Sequence, residues 1–210
     1  MKRLLLVGAA LVPILLARGG TLLGRPVQVL PLDGLVPVRD ICPLIVVELR
    51  YASAANFTGE PVYPADTAYL QRETALKLAA ANDELVERGL RIKIWDAYRP
   101  QSLHRLLWEK AGANRYFFAD PQQGSIHSRG AAVDVTLVDA RGQEVEMPSG
   151  FDDFSGRGHR QGEFSALARA NLDLLTEVMV RHGFQYIEFE WWHFEDTHWW
   201  QYPLLDLPLE

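Results

Sequence analysis

The chain has 210 residues, of which 21 are Lys or Arg and 27 Asp or Glu, giving a formal net charge of −6; 48% are hydrophobic and 23% charged. This is too apolar for a disordered chain and long enough for one domain whose core needs no disulfide staple. The acidic balance argues against a nucleic-acid partner, and a single cysteine, Cys42, excludes both an intramolecular disulfide and a Cys-rich zinc site.

Lys2-Arg3 precedes a wholly apolar run at 4–16, and small residues follow it. That order predicts a secretory signal peptide over residues 1–19, cleaved after Ala17 or Gly19, and hence a periplasmic or secreted protein; the alternatives are an uncleaved N-terminal anchor or a buried first helix, with a membrane-anchored or cytoplasmic protein. The run is short of the roughly 20 residues a membrane span requires, so no span is expected after cleavage. Residues 20–42, rich in Gly, Pro, Leu and Val without a helical period, read as an extended lead-in to a domain over 43–210.

The β-branched run at 43–51 predicts a first strand, followed by a turn-rich loop at 52–65. Leu70, Ala75, Leu78 and Leu85 fall near helical spacing within 66–88, with Asp66 or Thr67 as the N-cap and Gly89 as the stop. Alternation of Ile92 and Ile94 with Arg91 and Lys93 predicts a half-buried strand over 91–98, and Pro100 opens a short helix to 111. Segment 131–138 alternates again, turns at 139–142 and returns as a strand at 143–147. A helix over 163–182, with Leu167, Leu174, Leu175 and Val178 on one side, stops at Gly183 before a last strand, 184–191. Hairpin-joined strands separated by helices predict an α+β fold with an antiparallel sheet.

Three polar clusters sit where a plain fold has no use for them. In Ser125-Ile126-His127-Ser128-Arg129-Gly130, followed by Asp134, an aspartate stands mid-strand among apolar neighbours. A buried carboxylate must be paired or bound to a metal. His127 and Asp134 either share a cation or form a hydrogen bond that holds the loop. In Glu190-Trp191-Trp192-His193 the two polar ends lie on opposite faces of a regular strand, so they cooperate only if the strand ends or bulges near Trp191. His127, Asp134 and His193 would then supply two nitrogens and one oxygen to zinc, with Glu190 as the non-ligand base. In Asp96-Ala97-Tyr98-Arg99-Pro100, the arginine either stabilises a developing oxyanion or simply pairs with Asp96. His159, in the Gly-rich stretch at 155–162, is a rival fourth ligand.

Together these clusters resemble the zinc D-alanyl-D-alanine dipeptidases, the type known from vancomycin resistance. RYASAANFTGEPVY, WDAYRP, SIHSRGAAVD, EMPSGFDDF and EWWH occur in the family's order, across roughly 43–205. The resemblance implies the α+β zinc-peptidase fold shared with D,D-carboxypeptidases and the Hedgehog signalling domain. It implies one Zn2+ per chain on His127, Asp134 and His193, Glu190 as catalytic base and Arg99 as transition-state arginine. Ser125 and Asp152 fall in the implied substrate pocket, with Asp152 holding the ammonium group of a free dipeptide. The implied reaction is hydrolysis of D-alanyl-D-alanine to two D-alanines. The rivals are a murein D,D-carboxypeptidase on the same scaffold and a zinc module that binds without hydrolysis.

Overall fold

The computed structural model describes residues 34–209; the expected signal peptide lies outside them. A five-stranded sheet runs in the order β2 (Val46–Val47), β4 (Leu90–Asp96), β5 (Ala132–Asp139), β7 (His193–Asp196), β6 (Phe184–Tyr186). Every pairing is antiparallel except that of β2 with β4. A small antiparallel ladder joins β1 (Leu35–Pro37) to β3 (Tyr69–Gln71). The helices are α1 (Val38–Ile41), α2 (Arg72–Val86), α3 (Gln101–Lys110) and α4 (Ala166–Arg181). The class is the expected α+β, with a parallel edge strand added. Among the described residues no helix is long and apolar enough to cross a membrane.

Directly paired residues share a face of the sheet, and this divides the domain. Ile92 and Ile94 oppose Leu137 and Val135. These four pack in one core with Leu78 and Leu85 of α2 and Leu175, Val178 and Met179 of α4. Burying such side chains contributes about 1.5–3 kcal/mol each, which makes this face the source of stability. The opposite face carries Lys93, Thr136, Asp134, Asp96 and His193. It too is covered, which corrects the half-buried reading of β4: Lys93 is only 7% exposed. Its ammonium is held by Glu48 at 2.7 Å and Glu144 at 3.1 Å.

Several expected boundaries shift for physical reasons. The lead-in is not extended to residue 42: β1 and α1 join the fold, burying Leu35 and Val38. Their pairing draws Tyr69–Gln71 into a strand, so α2 starts at Arg72, and Asp66 caps nothing but accepts the Leu49 N–H at 2.8 Å. The first strand shrinks to two residues because Arg50–Ala52 coils into a 3-10 turn. The return strand at 143–147 is reduced to one bridge between Val138 and Glu144, the Glu144 carboxylate being occupied by Lys93, Arg50 and the Trp95 indole. Helix α4 begins after Ser165, whose hydroxyl accepts the Ala168 N–H. Leu167 is exposed because it lies about 100° round the helix from the buried stripe of Ala168, Leu172 and Leu175. The last strand breaks into β6 and β7 around a turn at 187–192, and that break creates the site.

Buried Asn82 ties α2 to the sheet by accepting the Ile92 N–H at 2.9 Å. Asn82→Ala leaves that N–H without a partner and should lower unfolding free energy by about 2 kcal/mol. Urea denaturation measures it; an unchanged midpoint would show that Asn82 contributes nothing there.

Candidate metal and catalytic site

The site forms where two irregularities meet. Between Ile94 and Asp96 the β4–β5 register shifts, which sets Asp96 opposite Asp134. On the other side of β5, Asp134 pairs with His193, the first residue of β7. His127 arrives from the 3-10 turn His127–Arg129, closed by Gly130 at φ 66°. A Cβ at Gly130 would fall 2.3 Å from the Leu35 side chain, so only glycine permits this turn.

His127, Asp134 and His193 are all buried, and one donor atom from each lies within 4.8 Å of the others. Asp134 Oδ1 is 2.9 Å from His193 Nδ1 and 3.4 Å from His127 Nε2, and the two nitrogens are 3.2 Å apart. Each ring's outer nitrogen is engaged elsewhere. His127 Nδ1–H donates to the Ala97 carbonyl at 2.7 Å, and His193 Nε2–H donates to Glu195 at 3.2 Å. This orients both rings, so that a metal ion displacing the proton held between them would meet two ring nitrogens and a carboxylate oxygen at one point.

The charges agree with the geometry. Burial alone would raise the Asp134 carboxyl, but the two imidazoles outweigh it and hold it well below the usual carboxylate range. Burial opposes a charge on His193, yet hydrogen bonds to Asp134 and Glu195 raise its pKa to about 10. A pocket that draws a proton to that point is electronegative enough to hold a cation. The donor set fits zinc: ligands at about 2.0–2.1 Å in a tetrahedron stand about 3.3 Å from one another, which the three observed separations bracket.

Glu190 precedes β7 in the 187–192 turn, with its Oε2 3.9 Å from His193 Nδ1. Because β6 ends at Tyr186, Glu190 and His193 are brought to the same centre, and the His193 N–H donates back to the Glu190 carbonyl at 3.1 Å. Burial pushes the Glu190 carboxyl up to about 7 against the pull of His193, within reach of a proton acceptor's task at neutral pH.

Arg99 pairs with Asp96, as one of the two sequence readings expects. Its Nε donates to Asp96 at 3.0 Å and its Nη2 makes a short contact to the same oxygen, while Nη1 lies 3.3 Å from His104 Nδ1. Burial opposes the guanidinium charge, but Asp96 leads the interactions that hold it. His104 is neutral, its pKa lowered to about 4 by burial and by Arg99. Its Nδ1 therefore accepts from Arg99 while Nε2–H donates to the Ala119 carbonyl at 2.9 Å. Of the five guanidinium N–H groups, one on each terminal nitrogen remains for a ligand.

These groups line a cavity of about 340 Å³ that also includes Ser125, Asp152, Tyr51 and Trp192. Ser125 Oγ accepts the His127 N–H at 3.2 Å, which leaves its own hydroxyl hydrogen to donate. Asp152, held at φ 53°, accepts from the Tyr51 hydroxyl at 2.9 Å. Burial leads the causes that raise its carboxyl well above the ordinary value. His159 is not brought to the centre: its Nδ1 accepts the Gln161 N–H and its ring meets Phe189 edge-on. The sequence reading missed Glu195 and His104. Glu195 had a usable signal, since it lies two residues beyond His193 and so shares its face once 193–196 is a strand.

A family model described as D-Ala-D-Ala dipeptidase, Peptidase_M15, matches residues 32–206. The D-alanyl-D-alanine dipeptidase of Escherichia coli (strain K12) is 38% identical over 172 residues, covering 81% of this chain and 89% of that protein. The enzyme of the same name from Enterococcus faecalis is 30% identical over 169 residues, covering 70% and 84%. Among solved structures, the LdcB LD-carboxypeptidase overlaps 61% of this chain and 59% of its own at 17% identity and a TM-score of 0.42. With a family match across nearly all the described residues and a site of the matching chemistry, the chain belongs to the D-Ala-D-Ala dipeptidase family of zinc metallopeptidases.

Proposed function

We propose that this chain hydrolyses free D-alanyl-D-alanine to two D-alanines, with His127, Asp134 and His193 as zinc ligands, Glu190 as general base and Arg99 as oxyanion partner. The observation that carries the reading is the convergence of three buried donor atoms within 4.8 Å beside a carboxylate of raised pKa. Family membership and the D-alanyl-D-alanine dipeptidases among the relatives supply the substrate. Zinc in such a setting supplies a Lewis acid and brings the deprotonation of water close to neutral pH.

Glu190 removes the proton from the attacking water and hands it to the leaving amine, its carboxyl being poised between the two states. Arg99 offers its two uncommitted N–H groups to the oxygen that gains charge. Because Asp96 and His104 already hold it, little reorganisation is needed as that charge develops. Asp152 receives the substrate ammonium, which gives a buried carboxylate the cation it lacks, and Ser125 donates its hydroxyl to the peptide. A small cavity with a negative end favours a short substrate with a free amine over an acylated chain. The basic start and apolar run at 4–16 support export to the periplasm or the exterior. N-terminal sequencing of the mature protein checks this: a start between residues 18 and 20 agrees, and an intact Met1 contradicts it.

Glu190→Gln should keep one zinc per chain while kcat falls roughly 10³-fold; near-normal turnover would remove Glu190 from the base role. N-acetyl-D-Ala-D-Ala should be cleaved at least about tenfold more slowly than the free dipeptide, as measured by D-alanine release. Equal rates would reject the ammonium contact and favour the D,D-carboxypeptidase rival.

A further inference from the structure

The Gly-rich stretch at 155–162 contributes no ligand to the centre, yet it contains a buried arginine held by backbone carbonyls, a hydroxyl and two aromatic rings. Arg160 is 4% exposed and makes no ion pair among the described residues, the carboxylate of Glu188 supporting its charge only from beyond ion-pair distance. Instead, Nε donates to the Ile187 carbonyl at 3.0 Å, Nη2 to the Trp191 carbonyl at 2.7 Å, and Nη1 to the Thr176 hydroxyl of α4 at 2.7 Å. The guanidinium lies 4.3 Å from the Tyr186 ring centroid and 4.8 Å from that of Phe194. The backbone repeats the grip, with Arg160 N–H donating to the Glu188 carbonyl and Trp191 N–H to the Gly158 carbonyl, both at 2.9 Å.

All but one of these hydrogen bonds end on the turn between β6 and β7, and they bracket Glu190 on both sides. A buried cation without a direct ion pair is costly, and burial pushes the Arg160 guanidinium down to about 10 against the pull of Tyr186 and Glu188. A neutral side chain would close an ordinary turn with less penalty. What only a planar guanidinium offers is several donors in a rigid fork, able to fix two carbonyls four residues apart and a neighbouring helix together. Gly158 serves the same contact: a Cβ there would lie 3.0 Å from the Phe189 carbonyl oxygen and 3.1 Å from the Trp192 ring.

We infer that Arg160 is the positioning residue for the general base: its guanidinium, seated under the 187–191 turn with Gly158, sets where the Glu190 carboxylate stands relative to His193. This inference rests on the reading of Glu190 as the base. Because near-attack geometry tolerates little displacement, loosening the turn should lower turnover without emptying the metal site or weakening substrate binding.

The test is a double-mutant cycle on the zinc-loaded enzyme with D-Ala-D-Ala. Arg160→Lys, whose ammonium cannot bridge both carbonyls, should reduce kcat roughly 10- to 100-fold, with KM within threefold of wild type and one zinc per chain. In the Glu190→Gln background the same substitution should cause less than a threefold further loss, since the group it positions has been removed. Gly158→Ala, which disturbs the turn with the guanidinium intact, should show the same pattern and carries the test if Arg160→Lys does not fold. Unchanged kcat in the folded single variants would overturn the inference, as would loss of zinc in parallel with activity. An equal additional loss in the Glu190→Gln background would also overturn it, since that is what a merely structural role predicts. Near-normal kcat in Glu190→Gln itself marks the distinct failure of the base assignment.

Discussion

A carboxylate buried at the centre of a sheet has to be neutralised, and the fold around Asp134 is arranged to meet that demand. Its flanking strands deliver what it needs: His193 directly across from it on β7, and the β4 irregularity that turns Asp96 and the segment leading to Arg99 toward the same centre. His127 completes the set from a turn that only a glycine can close so near to Leu35. Each ring is fixed through its outer nitrogen, so the inner donors are oriented before any ligand arrives. Such preorganisation keeps the cost of assembling the site in folding rather than in each binding event.

The surrounding charges divide the cavity into working regions. Asp134, Glu190 and Glu195 make the metal corner electronegative, and His193 records this in its raised pKa. Asp96 and neutral His104 hold Arg99 by opposite edges, so this buried guanidinium is committed on one side and open to the cavity on the other. Asp152 stands apart with a tyrosine hydroxyl for a partner, a carboxylate suited to an incoming ammonium.

Much of this was legible in the residues themselves. Asp134 stood out by its place mid-strand among valines, which propensity disfavours, and it is found paired with His127 and His193. The Glu190–His193 spacing was informative because it was wrong for a strand, which demanded a break there, and β6 and β7 supply it. The main helices and the two central strands followed from periodicity. What escaped was set by distant partners. Pairing with β1 converts Tyr69–Gln71 from helix to strand, and covering loops bury Lys93 on a face that alternation assigned to solvent. His104 was illegible for the same reason, since neither motif nor spacing shows which distant donor a ring nitrogen will meet, whereas Glu195 could have been found from its place two residues beyond His193.

One cation at one point underlies the site, and anomalous diffraction at the zinc edge from crystals of the purified protein locates it directly. The account predicts a single peak about 2.0–2.2 Å from His127 Nε2, Asp134 Oδ1 and His193 Nδ1, with Glu190 outside bonding distance. A peak on other residues, such as His159, or none at this centre in fully active crystals, would contradict it.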